Sequence, residues 1–424
     1  MAAELSRIDA NWLRRFRSAL RRWHARGGRD LPWRNCRDPY KVWISEIMLQ
    51  QTTVAAVKPY FERFLNRFPN VAALAAANEE DVLRLWEGLG YYSRARNLRK
   101  AAQAIIANGG EFPQTVEQLL QLPGIGRYTA GAIVSFAFDR PAPIVEANTL
   151  RLYCRLLGFR GDPRSTNGQR LLWSFAEKLV PTKSPGEFNQ ALVDLGATIC
   201  TPSEPRCDEC PVASCCRALA EQAQAEIPIP KPRPEITETR EAYVAIVSSG
   251  RYLIYRRPEG QRWAGMWDFP RFELSTHESG ERGVVSPTIR KKPHRACPGG
   301  SRDSALLDAQ KDLSSAKSRK PPRQLGWGDS QAGADARRFL ERRIATEFGP
   351  SVTITERLTQ LKHSVTRFRI TLDCWLAETS ERNDLTTTHP TAWIKPAEFA
   401  SYPFSTTGRQ LAELLHRSTT GAEK

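Results

Sequence analysis

Apolar residues recur at helical spacing through the first half of the chain, as in Trp43, Ile47 and Val54. Short breakers interrupt the pattern at Pro69-Asn70, Gly109-Gly110, Pro123-Gly124 and Gly161-Asp162-Pro163, each a place where a helix stops and another can start. Residues 1–226 therefore predict an all-α domain of about ten helices. Residues 227–240, IPIPKPRPEITETR, predict an extended, semi-rigid linker, because proline removes N–H donors and disfavours helix. From Tyr243 the period changes. AYVAIV and YLIYRR flank a Ser-Ser-Gly turn and read as strands. Residues 275–332 lose periodicity and are rich in Ser, Arg, Lys, Gly and Pro, which predicts a disordered basic insertion. A helix is expected over 334–348, then strands at 352–356, 358–362 and 368–376. The stretch 241–424 is thus expected to be an α+β domain.

Composition adds a partner class. In 424 residues, Lys plus Arg is 62 and Asp plus Glu is 46, a formal net charge of +16. Length alone suggests two or three domains. The basic excess favours a polyanion, DNA or RNA first, although a solubility choice or a basic tail gives the same number. The first thirty residues read as an Arg-rich amphipathic helix rather than a secretory signal. No run of about eighteen apolar residues predicts a membrane span. A cytoplasmic, nucleoid-associated protein is expected.

Nine cysteines do not suggest a disulfide framework, but their clustering suggests a metal site. Cys200-x6-Cys207-x2-Cys210-x5-Cys216 forms a compact ladder. Four thiolates are the usual complement of a 4Fe–4S cluster. Zinc more often uses two separated CxxC knuckles, and only one CxxC is present. Cys215 stands beside Cys216 and competes for the last position; the spacing favours Cys216. Cys36, Cys154, Cys297 and Cys374 are isolated. Arg206 and Arg217 on this loop are candidates to meet phosphates.

Leu122-Pro-Gly-Ile-Gly-Arg-Tyr-Thr129 lies between two helical patterns. Gly124 and Gly126 permit a tight turn and close backbone approach. The following helix N-terminus offers N–H groups to a phosphate. This is a helix–hairpin–helix signature, which grips the DNA backbone without reading sequence.

With these motifs the chain resembles the endonuclease III superfamily, and within it the MutY-type adenine DNA glycosylases. The resemblance covers residues 12–226 densely, through LPWR (31–34), PYKVWISEIMLQQT (39–52), GLGYYSRARNL (88–98), LPGIGRYTAGAI (122–133), FNQALVDLGATIC (188–200) and the ladder. It is thinner beyond, through WAGMWDFP (263–270). It implies a helix–hairpin–helix glycosylase domain with an iron–sulfur loop at 200–216, followed by a Nudix-like domain that helps recognise the oxidised base. A catalytic Nudix helix is Glu-rich and holds magnesium; ADARRFLERRIATEFG lacks that carboxylate array, so no pyrophosphatase activity is expected.

The implied reaction removes adenine mispaired with 8-oxoguanine or guanine in double-stranded DNA, by a chain acting as a monomer. Such chemistry needs a flipped base, a proton for the leaving base and a stabilised sugar cation, and two carboxylates can supply the last two. Glu46 matches the family's proton donor, and burial on its helix would raise its pKa. A helix-interior ion pair is the plainer alternative. The family's second carboxylate is an Asp followed by Gly. Here Glu146 and Ala147 stand at those positions, and the added methylene can move the carboxylate by about an ångström, enough to matter. Asn148 matches the residue that positions water and this carboxylate. Tyr128 stands where bifunctional relatives carry a Schiff-base Lys, which implies base excision without strong lyase activity. Gln51, Leu89 and Tyr91 match residues that enter the DNA stack. Trp33, Arg34 and Gln190 match the lining of the adenine pocket. The reader of the oxidised base departs most. The family presents Phe-Ser-His, and this chain has His363-Ser364-Val365-Thr366-Arg367-Phe368, leaving Thr366 for the Ser hydroxyl and Arg367 for a phosphate. Two other readings stay open: a thymine-mismatch or oxidised-pyrimidine glycosylase of the same superfamily, and a non-enzymatic binder of damaged DNA.

Overall fold

A computed structural model describes residues 5–34, 36–232, 235–274, 331–348, 351–380 and 389–420. The expected insertion falls almost wholly outside these residues. Its last two, Gln331 and Ala332, instead begin a helix that runs three residues earlier than expected.

Twelve α-helices precede the linker among the described residues. They are α1 (Ala10–Gly27), α2 (Pro39–Leu49), α3 (Val54–Arg67), α4 (Val71–Ala76), α5 (Glu79–Trp86), α6 (Ser93–Ala107), α7 (Val116–Leu120), α8 (Arg127–Phe136), α9 (Ala147–Leu157), α10 (Thr166–Leu179), α11 (Pro185–Thr198) and α12 (Arg217–Ala220). Asp38 starts α2 by accepting the Tyr40 N–H, with Pro39 at the first helical position, where its missing N–H costs nothing. The sequence of α2 is apolar on all sides, and eight of its eleven residues are buried. It packs on α3 and α8. A helix apolar all round must lie inside, so the one carboxyl it carries, Glu46, is carried inside with it. A second core joins α1, α9, α10 and α11 through Phe16, Tyr153, Phe175 and Phe188. Each such aromatic contributes roughly 1.5–3 kcal/mol by burial.

After the linker comes a seven-stranded mixed sheet: β1 (Thr237–Ser248), β2 (Arg251–Arg256), β3 (Trp267–Asp268), β4 (Arg271–Glu273), β5 (Thr353–Val365), β6 (Phe368–Glu378) and β7 (Thr391–Ile394). The path runs β3-β2-β1-β6-β5, with β4 on β1 and β7 on β2. β1 and β6 are parallel, Tyr243 facing Cys374; the other pairs are antiparallel. Two helices, α13 (Gln331–Phe348) and α14 (Thr406–Thr420), complete the unit. Alternate residues of β1 point to opposite faces. Tyr243 and Ala245 pack with Leu411 and Leu415 of α14. Ala242, Val244 and Ile246 pack with Leu340 and Ile344 of α13. Covering both faces explains why AYVAIV reads as a continuous apolar run rather than an alternating one.

One expectation is corrected by the fold. The strands expected at 352–356 and 358–362 are one strand, β5, with irregularities between Ile354 and Glu356 and between Arg357 and Thr359. A bulge changes the side-chain phase without ending the strand, which in sequence looks like a break. The Val365–Phe368 stretch is a two-residue hairpin turn, since Val365 pairs Phe368. Thr366 therefore takes φ +53°.

The chain forms two compact units that are not contiguous in sequence. Among the described residues, one contains 5–77 and 96–232; the other contains 78–95 together with 235–274 and everything from 331 onward. The units divide after residue 232, and β1 takes in the last four residues, 237–240, of the expected linker; α5 and the turn after it cluster with the sheet.

Candidate active site

The helical unit brings Glu46 and Tyr128 together from motifs 82 residues apart: the Tyr128 hydroxyl donates to Glu46 Oε2 at 2.7 Å. Glu46 is 6 % exposed. Burial pushes its carboxyl up to about 7, the Tyr128 hydrogen bond and the Arg34 charge pull against this, and the Glu146 charge adds to it. Burial also holds the Tyr128 phenol far above its usual range, helped by the charges of Glu46 and Glu146. Tyr128 is therefore a neutral donor, and Glu46 sits poised to exchange a proton near neutral pH.

Glu146 acts on both groups through its charge. It caps α9: its two oxygens accept the Asn148 and Thr149 N–H groups at 2.8 Å each, and its own N–H donates to Thr149 Oγ1 at 2.9 Å. Burial raises the Glu146 carboxyl; the two amide bonds and the charges of Arg151 and Arg29 oppose it. A carboxylate fixed at a helix N-terminus also faces the positive end of the dipole.

Asn148 Oδ1 accepts from Arg151 Nη2 at 3.0 Å. Arg151 also donates to Gly196 O at 2.6 Å and Cys200 O at 2.7 Å. A side chain on Gly196 would meet Asn148 at 2.8 Å, so α11 can lie against α9 only with glycine there. One turn on, Arg155 is 2 % exposed and donates to Cys200 Sγ at 3.3 Å and to the carbonyls of Thr201, Pro202 and Ile227.

Cys200, Cys207, Cys210 and Cys216 line one small cavity, walled also by Leu152, Leu156, Val212 and Leu219. Among the described residues no group of three or more His, Cys, Asp or Glu side chains is placed to hold a metal ion. Cys215 is buried in the helical core, as Cys200 is, but does not line this cavity. The donor set, the apolar wall and a guanidinium beside Cys200 fit an iron–sulfur cluster. Arg206 and Arg217 pair with Glu209 and Glu221 on their own loop, at 2.8 and 2.5 Å.

Arg34, whose charge acts on Glu46 and Tyr128, is held in an ion-pair frame. Its guanidinium grips Asp194 through both terminal nitrogens, Nη2 to Oδ1 at 2.6 Å, and is 9 % exposed. Arg29 Nε reaches the same carboxylate at 2.6 Å and His24 Nε2 lies 3.3 Å away. Burial alone would raise Asp194, but His24, Arg34 and Arg29 outweigh it and hold the carboxyl well below its ordinary range. Trp33 is buried edge-to-face on Phe61, ring centres 5.3 Å apart. Gln190 is half-buried on α11. Sequence reasoning missed Asp194, Arg151 and Arg155. The visible signal was two arginines one turn apart in the otherwise apolar helix LRLYCRLL.

Gly124 holds φ +78° in the hairpin turn, where a side chain would meet Asn97 Cβ at 2.7 Å. Gly126 starts α8 without a side-chain cap, and open space lies where its Cβ would be. The first N–H groups of α8 thus have no side-chain capping partner. Gln51, Tyr91 and Thr366 share a property: they are three of eight non-glycine residues with positive φ among the described residues. Such backbone is costly and collects at functional sites. All three are exposed, and Leu89 is buried. Leu89, Tyr91 and Thr366 belong to the sheet unit, and the other expected site residues to the helical unit. His363 lies on β5 with its ring centre 6.3 Å from that of Trp263; burial and the Arg271 charge keep its imidazole below the usual value.

Residues 44–178 match the family described as HhH-GPD superfamily base excision DNA repair protein. The chain is similar to an adenine DNA glycosylase of Buchnera aphidicola subsp. Schizaphis graminum, 40 % identical over 61 % of this chain and 75 % of the relative. It is similar to the adenine DNA glycosylase of Mus musculus, 39 % identical over 65 % of this chain and 64 % of the relative, and to that of Homo sapiens, 46 % identical over 50 % and 41 %. The chain thus spans less than two thirds of the length of these mammalian relatives. A solved thermostable thymine-DNA glycosylase is 31 % identical over 50 % of this chain and 98 % of that one, with a TM-score of 0.46.

Proposed function

The chain belongs to the adenine DNA glycosylase family, and we propose that it removes adenine mispaired with 8-oxoguanine or guanine by a monofunctional route. The observation that carries this reading is the Tyr128–Glu46 hydrogen bond, with Glu46 raised to about 7. A carboxyl so placed is protonated often enough at neutral pH to protonate a leaving purine. The phenol beside it cannot form the imine a lyase needs.

The steps follow from the chain's own groups. The adenine enters the pocket out of the stack. Glu46 gives its proton to the base as the N-glycosidic bond breaks, and Tyr128 orients that proton by fixing the other oxygen. Glu146, locked by two amides, faces the sugar cation with its negative charge. Glu46, now a carboxylate, takes a proton from the attacking water, and Asn148, held by Arg151, orients that water and Glu146. Arg34 acts from a distance by its charge on Glu46, through the frame it shares with Asp194. Gln51, Leu89 and Tyr91 fill the place of the flipped base, the strained backbones of Gln51 and Tyr91 being set before DNA arrives. Gly124, Gly126 and the start of α8 take a backbone phosphate. Trp33 and Gln190 shape the wall of the base pocket.

Cys200, Cys207, Cys210 and Cys216 would hold a 4Fe–4S cluster, which supplies a rigid staple to the loop when bound and no step of the hydrolysis. The sheet unit is read as a Nudix-like domain, its sheet sandwiched between α13 and α14. Thr366 at the tip of the β5–β6 hairpin reads the oxidised base. No helix among the described residues is long and apolar enough to cross a membrane; a monomer acting on nucleoid DNA fits the +16 charge. The test is to identify the base released from duplexes carrying single adenine or thymine mismatches. Adenine opposite 8-oxoguanine or guanine is expected; thymine or an oxidised pyrimidine alone would overturn the reading.

A further inference from the structure

The turn that carries Leu89 and Tyr91 is fixed from two directions inside the sheet unit. From within the segment, Trp86 Nε1 donates to Gly90 O at 3.1 Å. Arg94 Nη2 donates to Leu89 O at 3.1 Å and Gly90 O at 3.2 Å, its guanidinium 5.7 Å from the centre of the Tyr91 ring. From the C-terminal region come three contacts to carboxylates of α5 and its cap. Arg256 Nη2 meets Glu79 at 2.9 Å and Trp267 Nε1 meets Glu80 at 3.0 Å. The third is the most constrained. Arg409 grips Glu87 at both oxygens, Nε to Oε1 at 2.6 Å and Nη2 to Oε2 at 3.0 Å, and the Phe404 N–H adds a bond at 3.3 Å.

Glu87 is the C-cap of α5 and directly precedes Gly88, whose φ is +95°. Its position therefore sets where the turn begins. Arg409 is not a loose tether: it also donates to Phe399 O at 2.9 Å and Tyr402 O at 2.7 Å. The two side chains are only 23 % and 17 % exposed. A bidentate pair partly withdrawn from water fixes geometry in a way an exposed pair does not.

We propose that Arg409, through Glu87, is a positioning residue of the C-terminal sheet unit that presets the Leu89–Tyr91 turn for insertion into the DNA stack. The proposal rests on reading that turn as the wedge. It makes the sheet unit a contributor to base extrusion, beyond reading the opposite base.

The full-length protein is bound to an adenine–8-oxoguanine duplex with 2-aminopurine next to the mispair, whose fluorescence rises when the stack opens. Glu87→Gln, Arg409→Met and the double variant are compared with wild type and with Tyr91→Ala. Glu87→Gln keeps the shape of the side chain, so it reports even where Arg409→Met folds poorly. Expected is a loss of the fluorescence rise in each single variant, a roughly tenfold slower single-turnover release, and a double variant no worse than either single. Loss in Tyr91→Ala with a full rise in both single variants overturns the proposal alone. A full rise in Tyr91→Ala overturns the wedge reading and the proposal with it.

Discussion

Tyr128 and Glu46 share one hydrogen bond of 2.7 Å between α8 and α2, part-buried, with the Glu46 end buried. The phenol, held protonated by its raised pKa, donates, and Oε2 of the carboxyl accepts. The bond lowers the Glu46 pKa, against the larger upward push of burial.

Removing it therefore has a defined sign. Tyr128→Phe leaves burial and the Glu146 charge unopposed by that bond, so Glu46 holds its proton to higher pH. The wild-type single-turnover rate is expected to fall as pH rises through about 7, and this alkaline limb is expected to move upward in the variant. A limb that stays put or moves down contradicts the assignment of Glu46 as the titrating acid.

Glu146 does two jobs, and a substitution separates them. Glu146→Gln keeps one acceptor oxygen for the α9 cap and loses the charge. Stability is expected to drop by about 1 kcal/mol, the size of a cap, while base release falls roughly a hundredfold or more, as when an electrostatic stabiliser is removed. Comparison of melting temperature with the single-turnover rate checks this. A rate loss no larger than the stability loss explains would leave Glu146 as a cap only.

Asp194→Asn removes the charge that Arg34 and Arg29 are bound to. Stranding buried guanidinium groups costs about 3–5 kcal/mol, visible in denaturant melts. The linkage sign is also fixed. The native Asp194 carboxyl lies below its unfolded value of 3.8, so its contribution is present above that pH and is lost as pH falls through the native value. Acid unfolding of the wild type should therefore be steeper than that of Asp194→Asn below pH 3.8.

Iron content separates the paired cysteines. Cys216→Ser should lose bound iron and the visible absorption of the cluster, whereas Cys215→Ser, buried in the helical core, should retain about four iron atoms per chain. Retention by Cys216→Ser with loss in Cys215→Ser would reverse the ligand assignment.

How much of this could be read beforehand depended on the range of the interaction. The apolar-all-round pattern of α2 announces a buried helix, and a carboxyl inside it announces an unusual pKa. The cysteine ladder and the Pro-Gly-Ile-Gly turn are local and speak for themselves. Asp194 does not, because its partners lie 160 and 165 residues away and a lone Asp in an apolar helix looks the same paired or unpaired. Glu79, Glu80 and Glu87 meet Arg256, Trp267 and Arg409 from 177 or more residues away, a pairing only the fold shows. The β5 irregularities look like a strand break in sequence, since a bulge and an end both disrupt a period of two.

The central claim is that Glu46 protonates a flipped adenine. Its most direct test is single-turnover release of free adenine from an adenine–8-oxoguanine duplex, followed by alkali to reveal the abasic site, with wild type and Glu46→Gln side by side. Release by the wild type and none above background by Glu46→Gln, with duplex binding retained, is the predicted result. Wild-type rates in Glu46→Gln would contradict it.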